Sequence, residues 1–150
     1  MKVYMNPDQF GKLKSKNHSV FRLMYHIVLT IKYRHKILTP EMLNDLEQIL
    51  GKLVRKWECE LIEFGGEADH VHLLIDAHPN LNLSDFVKNL KSVSSRRMRK
   101  EYADYLQQYL WGGEFWHDAF SIISVGGRAN IETLLQYIEN QGKPKPPHRR

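Results

Sequence analysis

Two β-strands joined by a tight link are predicted for residues 59–76, which read CELIEFGGEADHVHLLID. The segments Cys59–Phe64 and Asp69–Asp76 carry the apolar and aromatic side chains that are typical of strands. Between them, Gly65 and Gly66 predict a turn, because glycine adopts at little steric cost the positive φ that tight turns require. A hairpin of this composition indicates an antiparallel sheet.

The elements predicted on either side of this hairpin complete an α+β fold. Strands are indicated by runs of β-branched and aromatic residues, and helices by apolar residues at helical spacing behind a side-chain cap. In chain order they are a strand at Val20–Tyr33, a helix from Thr39 to about Trp57, a helix opened by Ser84 and Asp85, a strand at Ala119–Val125, and a helix capped by Asn130. With the hairpin, the order β-α-β-β-α-β-α predicts a ferredoxin-like antiparallel sheet with an extra C-terminal helix.

The two ends of the chain differ in composition from this central part. Residues 1–18 are polar and aperiodic, and residues 142–150 are basic and rich in proline. Neither end contains the apolar pattern of a packed core, so both are expected to be mobile. A chain of 150 residues is typical of one domain, which we place at residues 19–141.

Charge and cysteine content narrow the class of protein. A formal charge of +5 and a pI near 9.3 favour a nucleic-acid partner. The single cysteine, Cys59, excludes an internal disulfide and a thiolate zinc site. The sequence contains neither the long apolar run of a membrane span nor that of a signal peptide, so we expect a cytoplasmic protein without a membrane partner.

The second strand of the hairpin carries two histidines at alternate positions. Because alternate side chains of a strand share a face, His70 and His72 are expected to project together, away from the apolar Val71 and Leu73. Two neutral imidazoles at this spacing are suited to bind adjacent positions on one metal ion. The pattern alone also fits two polar residues on a solvated sheet face.

Tyr137 and Gln141 lie four residues apart on the last predicted helix and therefore share a face. Tyr137 falls about 110° from the centre of that helix's apolar stripe, so core packing does not account for it. A phenol oxygen is able to attack phosphorus, and an amide oxygen is a hard metal ligand. With the two histidines, Gln141 would favour Mg²⁺ or Mn²⁺. The alternative is an amphipathic tyrosine at the edge of the buried surface.

The second predicted helix has a strongly basic exposed side. Its cations are expected to contact DNA phosphates, and the four chosen for this role are Lys88, Lys91, Arg96 and Arg97. Three aromatic residues, Trp111, Phe115 and Trp116, are candidates for stacking on unpaired bases. Alternatively, the helix is a solvated charged face and the aromatic residues belong to the core, as we expect for at least one of the tryptophans.

The chain resembles a known family through an ordered set of segments. These are Tyr25–Val28, Lys32–Arg34, Asp69–Leu74, Asp85–Lys91, Leu110–Gly113 with Phe115 and Trp116, Ser124–Gly126, and Gln136–Gln141. As a set they resemble the single-tyrosine transposases of the insertion-sequence 200/605 family, members of the HUH class named for His-hydrophobic-His. Residues 1–17 and the tail beyond Gln141 carry no resemblance.

The resemblance implies a site and a reaction. His70, His72 and Gln141 would bind the metal, and Tyr137 would attack DNA to leave a 5′-phosphotyrosine and a free 3′-OH. The substrate would be single-stranded DNA with subterminal hairpins. The protein would be a bacterial or archaeal homodimer whose composite active sites take the histidine pair from one subunit and the tyrosine helix from the other.

Two other functions remain open from sequence. One is a domesticated relative that cuts repeated hairpins in its host genome with the same catalytic residues. The other is a ferredoxin-like module that binds structured nucleic acid without cutting it, since this fold also serves as an RNA-binding platform. Such a module would be indifferent to chelators and would leave Tyr137 and Gln141 unexplained.

Overall fold

The computed structural model describes the backbone of residues 2–3, 14–16 and 19–21, and all atoms of residues 23–125. Its strands are β1 (Lys2–Val3), β2 (Lys14–Lys16), β3 (Ser19–Phe21), β4 (Leu23–Ile31), β5 (Glu60–Glu67), β6 (His70–Ala77) and β7 (Trp116–Ser124). Its helices are α1 (Pro40–Lys56), α2 (Leu83–Glu101) and α3 (Ala103–Gln107), with a 3₁₀ helix at Lys32–Arg34.

Strands β1, β5, β6, β4 and β7 form one sheet in that order, and every neighbouring pair is antiparallel. The predicted elements correspond in chain order to β4, α1, β5, β6, α2 and β7, which confirms the ferredoxin-like α+β fold. The last predicted helix, with Tyr137 and Gln141, lies outside the described residues. The proposed domain limits and the mobility of the two ends stay predictions.

The core lies between one face of this sheet and the helices. The apolar residues of β6, Val71, Leu73 and Ile75, join a buried cluster with Leu46 of α1 and Phe86 of α2. Because they alternate with the histidines, their burial directs His70 and His72 to the opposite face.

Helix α1 begins where the sequence predicts. The Thr39 hydroxyl accepts a hydrogen bond from the Met42 backbone N–H at 3.2 Å, and Pro40 occupies the first turn. Helix α2 begins slightly before the predicted Ser84, at Leu83. There, the side chain of Asn82 accepts from the Asp85 N–H at 3.1 Å.

The prediction of a turn at Gly65 and Gly66 is wrong. Both glycines lie inside β5, and neither has a positive φ; the strands are linked by Ala68 and Asp69. Gly66 is a place of close approach, since a Cβ there would lie 2.7 Å from the His70 carbonyl oxygen. The register, not turn geometry, therefore explains why glycine occupies these positions.

The first predicted strand also ends earlier than expected, at Ile31. Tyr33 and Arg34 adopt positive φ values of 59° and 54°, which terminate the extended conformation. At the other end of the fold, β7 begins at Trp116, before the predicted Ala119, and the short helix α3 had no counterpart in the prediction.

Short strands extend the fold on the N-terminal side. Strand β1 pairs with β5, with Lys2 opposite Phe64, and β2 pairs with β3. The sequence indicated no strand in residues 1–18. Within the part of the chain that the structure describes, no helix is long and apolar enough to cross a membrane.

Candidate active site

His70 and His72 lie side by side on the sheet face opposite the core, as predicted. Their ring centroids are 6.1 Å apart and their planes are inclined by 29°. His70 is only 3% exposed, so the alternative of a solvated pair does not apply to it. His72 is partly exposed, but both of its ring nitrogens are buried. Two adjacent imidazoles in this state, facing away from the main core, indicate a site.

Hydrogen bonds through the carboxylate of Asp69 fix the ring of His70. Its Nδ1 lies 2.8 Å from Oδ1 of Asp69, and the other carboxylate oxygen accepts from Arg34 Nη2 at 2.7 Å and Nε at 3.1 Å. Burial alone would raise the pKa of Asp69, but the hydrogen bonds from His70 and Arg34 outweigh it and hold this pKa below its usual value. An ionised carboxylate only accepts, so Nδ1 carries the proton and Nε2 presents its lone pair.

Arg34 reaches Asp69 because of the left-handed backbone at Tyr33 and Arg34. Two backbone hydrogen bonds hold the β5–β6 link against the end of β4 and the chain that follows it. Ile31 N–H donates to the Asp69 carbonyl at 2.9 Å, and Leu38 N–H donates to the Ala68 carbonyl at 2.8 Å. Residues that precede and follow the 3₁₀ helix in the chain thus both bind the link that carries Asp69.

The ring of His72 is held by shape rather than by hydrogen bonds. Both of its nitrogens are buried and make no hydrogen bond to any described residue. Burial, with a smaller contribution from the neighbouring His70, lowers the pKa of His72 to about 4, so the His72 ring is neutral near pH 7. Metal ligation requires a neutral imidazole with a free lone pair, and His72 fits that requirement.

Gly65 makes the space for His72. The two residues are cross-strand partners, and a Cβ at Gly65 would lie 2.5 Å from Nε2 and 2.7 Å from Cε1 of the His72 ring. These distances are far inside van der Waals contact, so any larger residue would displace the imidazole. The glycine that sequence analysis assigned to a turn is therefore part of the site.

Glu67 is a further candidate metal ligand that sequence analysis missed. It lies directly opposite His70 in the β5–β6 ladder, and its side chain is exposed. One potential ligand atom each from Glu67, Asp69 and His70 all lie within 4.8 Å of one another. Only the strand register reveals this proximity, because the sequence placed Glu67 in the link between the strands. The predicted third ligand, Gln141, lies outside the described residues.

The predicted DNA contacts on α2 divide into two groups. Lys88, Arg96 and Arg97 are exposed, and Arg96 lines a surface groove with Arg99 and Lys100. The structure also gives Lys91 a role inside the protein. Its ammonium donates to the backbone carbonyls at the start of β7, at 2.9 Å to residue 117 and 3.0 Å to residue 118. This contact ties α2 to the edge of the sheet.

The aromatic candidates also divide. Phe115 and Trp116 are buried in the core, and the Trp116 indole N–H donates to the Ser94 hydroxyl at 2.9 Å. Trp111 is 86% exposed in the loop before β7 and remains available for stacking. The expectation that at least one tryptophan belongs to the core is confirmed.

Comparison with known proteins gives a consistent result over most of the chain. Residues 19–141 match the profile of the family described as "Transposase IS200 like". The chain is 36% identical over 130 residues to the ISDra2 transposase TnpA of Deinococcus radiodurans, which covers 87% of this chain and 91% of that protein. It is 30% identical over 131 residues to the transposase for insertion sequence element IS200 of Salmonella typhimurium, with 87% and 84% covered.

The backbone resembles that of a solved relative. A crystal structure of a candidate transposase from Deinococcus radiodurans superposes with a TM-score of 0.77 at 36% identity, covering 85% of this chain and 97% of that one. Sequence and backbone comparisons therefore agree on the same group of proteins.

Proposed function

This chain belongs to the IS200-like transposase family, and we propose that it cleaves and rejoins single-stranded DNA through a covalent bond to Tyr137. Its relatives are named transposases, so it is an enzyme that acts on DNA. The observation that supports the finer proposal is the adjacent pair His70 and His72. Asp69 orients the ring of His70, and the buried ring nitrogens of His72 have no hydrogen-bond partner among the described residues.

The donor set fits a divalent metal ion. Nε2 of His70 is left free by the Asp69 hydrogen bond, and the neutral His72 ring offers its own lone pair. We propose that these two nitrogens and the amide oxygen of Gln141 hold Mg²⁺ or Mn²⁺. The carboxylate of Glu67, which lies near His70 and Asp69, is a further candidate oxygen donor. When bound, the ion would act as a Lewis acid on the scissile phosphate.

The chain's own residues would supply the rest of the reaction. The Tyr137 phenol oxygen attacks phosphorus and loses its proton, while the bond from phosphorus to the 3′ oxygen breaks and that oxygen gains a proton. The product is a 5′-phosphotyrosine, which keeps the bond energy for rejoining when a 3′-OH attacks in the reverse direction. The exposed cations Lys88, Arg96 and Arg97 are suited to bind the phosphates of the DNA hairpins.

A covalent adduct tests this proposal directly. Labelled single-stranded DNA from both flanks of the gene is incubated with the protein in Mg²⁺, in Mn²⁺ and in chelator, and the products are separated on a denaturing gel. We expect a metal-dependent adduct that Tyr137→Phe abolishes while hairpin binding persists. Tyr25→Phe, on the core side of β4, is the matched control and should keep the adduct. An adduct that survives Tyr137→Phe would move the nucleophile elsewhere, and binding without any adduct would indicate a non-cleaving module.

We also propose that the protein acts as a homodimer with composite sites, which a mixing experiment tests. His70→Ala and Tyr137→Phe each inactivate a site by a different route. If the histidines and the tyrosine come from different subunits, mixed dimers contain one intact site and form adduct, although each variant alone does not. No adduct from mixed dimers, whose formation is verified by two affinity tags, would place both groups in one subunit.

A further inference from the structure

Tyr33 is an exposed aromatic residue in a conformation that its residue type disfavours. Its side chain is 73% exposed, and its φ of 59° and ψ of 13° lie in the left-handed region. Glycine, asparagine and aspartate are the residues that adopt this region at low cost, whereas a bulky side chain there is a genuine outlier. Neither core packing nor turn geometry explains a tyrosine at this position. Strained residues of this kind cluster at binding and catalytic sites.

Tyr33 begins a row of aromatic rings along the surface. The His35 ring packs edge-on against it at 5.8 Å between centroids, and the Tyr109 ring follows at 6.3 Å from His35. Tyr109 is itself 41% exposed. The row Tyr33, His35 and Tyr109 therefore offers adjacent aromatic surfaces to solvent.

The row starts beside the candidate active site. Tyr33 directly precedes Arg34, whose guanidinium binds the Asp69 carboxylate, and that carboxylate orients His70. The left-handed pair of residues thus serves two purposes at once, since it turns Arg34 inward to Asp69 and leaves Tyr33 facing solvent.

Cations lie close to the row, and two of them also pair with carboxylates. Lys36 is exposed. The Lys32 ammonium lies 5.5 Å from the centre of the Tyr33 ring and is also paired with Glu114 at 2.7 Å and Asp118 at 3.4 Å, and the guanidinium of Arg34 is paired with Asp69. An unpaired nucleic-acid strand offers flat bases to aromatic rings and phosphates to cations, and such stacking is tolerant of sequence.

We propose that Tyr33, His35 and Tyr109 form a stacking site for unpaired bases of the DNA strand that passes the His70/His72 site. This inference rests on the proposed function, because it takes single-stranded DNA as the substrate. It adds the positioning of the bases next to the reacting phosphate, a role for which Tyr33 was not a candidate from its sequence context.

The test separates contacts to bases from contacts to phosphates. Fluorescence anisotropy measures the affinity of the protein for an oligothymidylate of about 15 nucleotides and for an abasic strand of the same length and charge. Loss of one stacked base lowers affinity by about 5- to 150-fold. We expect Tyr33→Ala to lower the affinity for oligothymidylate by this factor and to leave the affinity for the abasic strand nearly unchanged. Tyr33→Phe keeps the aromatic ring, so its affinities should be close to those of the wild type.

Tyr33→Gly supplies a second readout that a merely structural role would not give. Glycine accepts the left-handed backbone, so this variant should raise the melting temperature while it loses the preference for bases. A lower melting temperature together with unchanged preference would show that Tyr33 is structural and would overturn the proposal.

The two proposals fail in different ways. If the wild type forms the Tyr137 adduct but Tyr33→Ala keeps the full preference for oligothymidylate, the stacking site is refuted and the transposase chemistry stands. If the wild type forms no adduct with flanking DNA, the proposed function is refuted. The affinity ratio then still decides whether this row binds bases.

Discussion

Replacing Gly65 by alanine should damage catalysis far more than it damages stability. The new Cβ would lie 2.5 Å from His72 Nε2, whereas ordinary contacts begin near 3.5 Å, so the imidazole must move by about 1 Å. A displacement of this size at a reacting centre costs about 100-fold in rate. The His72 ring is partly exposed and is able to tilt toward solvent, so the free energy of unfolding should fall by only about 1 kcal/mol.

The assay measures the rate of adduct formation, the affinity for Mn²⁺ by calorimetry, and the midpoint of urea unfolding. Gly112→Ala is the matched control, because a Cβ there meets no atom within 4 Å. It should change the free energy of unfolding by less than about 0.5 kcal/mol and leave the adduct rate intact.

Gly66→Ala, at the neighbouring position, should damage stability more than Gly65→Ala does. There the new Cβ would meet the His70 backbone carbonyl at 2.7 Å and the Leu43 side chain at 2.8 Å, so the strands themselves must separate. Its unfolding free energy should fall by more than that of Gly65→Ala. If Gly65→Ala binds Mn²⁺ and forms adduct as the wild type does, the His72 ring does not depend on the space at Gly65 and the reasoning is refuted.

Three further perturbations test other parts of the structure. Gly51→Ala in α1 should raise the free energy of unfolding in urea by about 0.5–1 kcal/mol, since the helix interior favours alanine and the nearest contact of its Cβ is an ordinary 3.5 Å. Asp69→Asn should weaken Mn²⁺ binding about 10- to 100-fold by calorimetry, and equal affinity would contradict the role given to its carboxylate. In chelator, the free energy of unfolding should fall by about 1–2 kcal/mol as the pH drops from 6.5 toward 4. The pKa of His72 is lower in the folded protein than in the unfolded chain, so over this range protonation of His72 favours the unfolded chain. In thermal unfolding scans, His72→Gln should reduce the dependence of the melting temperature on pH in this range. An unchanged pH dependence would mean that other groups cause the loss of stability.

Features that depend on neighbouring residues in the chain were predictable from sequence. The start of α1 follows from Thr39 and Pro40, whose side chains act within one helical turn. The common face of His70 and His72 follows from the alternation of any strand, whatever it pairs with. The basic composition of α2 likewise indicated which side of that helix faces solvent.

Features that depend on strand register were not predictable in the same way. The glycines at 65 and 66 fit a turn by composition, and only the pairing with β6 shows that Gly65 makes room for His72. The same register places Glu67 opposite His70. Lys91 was expected to contact DNA from its charge alone, but the carbonyls that it also binds belong to a strand that follows it by a long stretch of chain.

Residue 69 must be an aspartate rather than an asparagine, because its side chain lies between two hydrogen-bond donors. Arg34 donates to one of its oxygens and the Nδ1–H of His70 to the other. An asparagine has one acceptor and one donor at these two places. If its oxygen faces Arg34, its NH₂ faces His70. The ring proton then moves to Nε2, which removes the lone pair that the proposed metal would need. If its oxygen faces His70, its NH₂ meets the guanidinium and both are left without an acceptor. The left-handed backbone that delivers Arg34 to Asp69 therefore contributes to the choice of tautomer at His70.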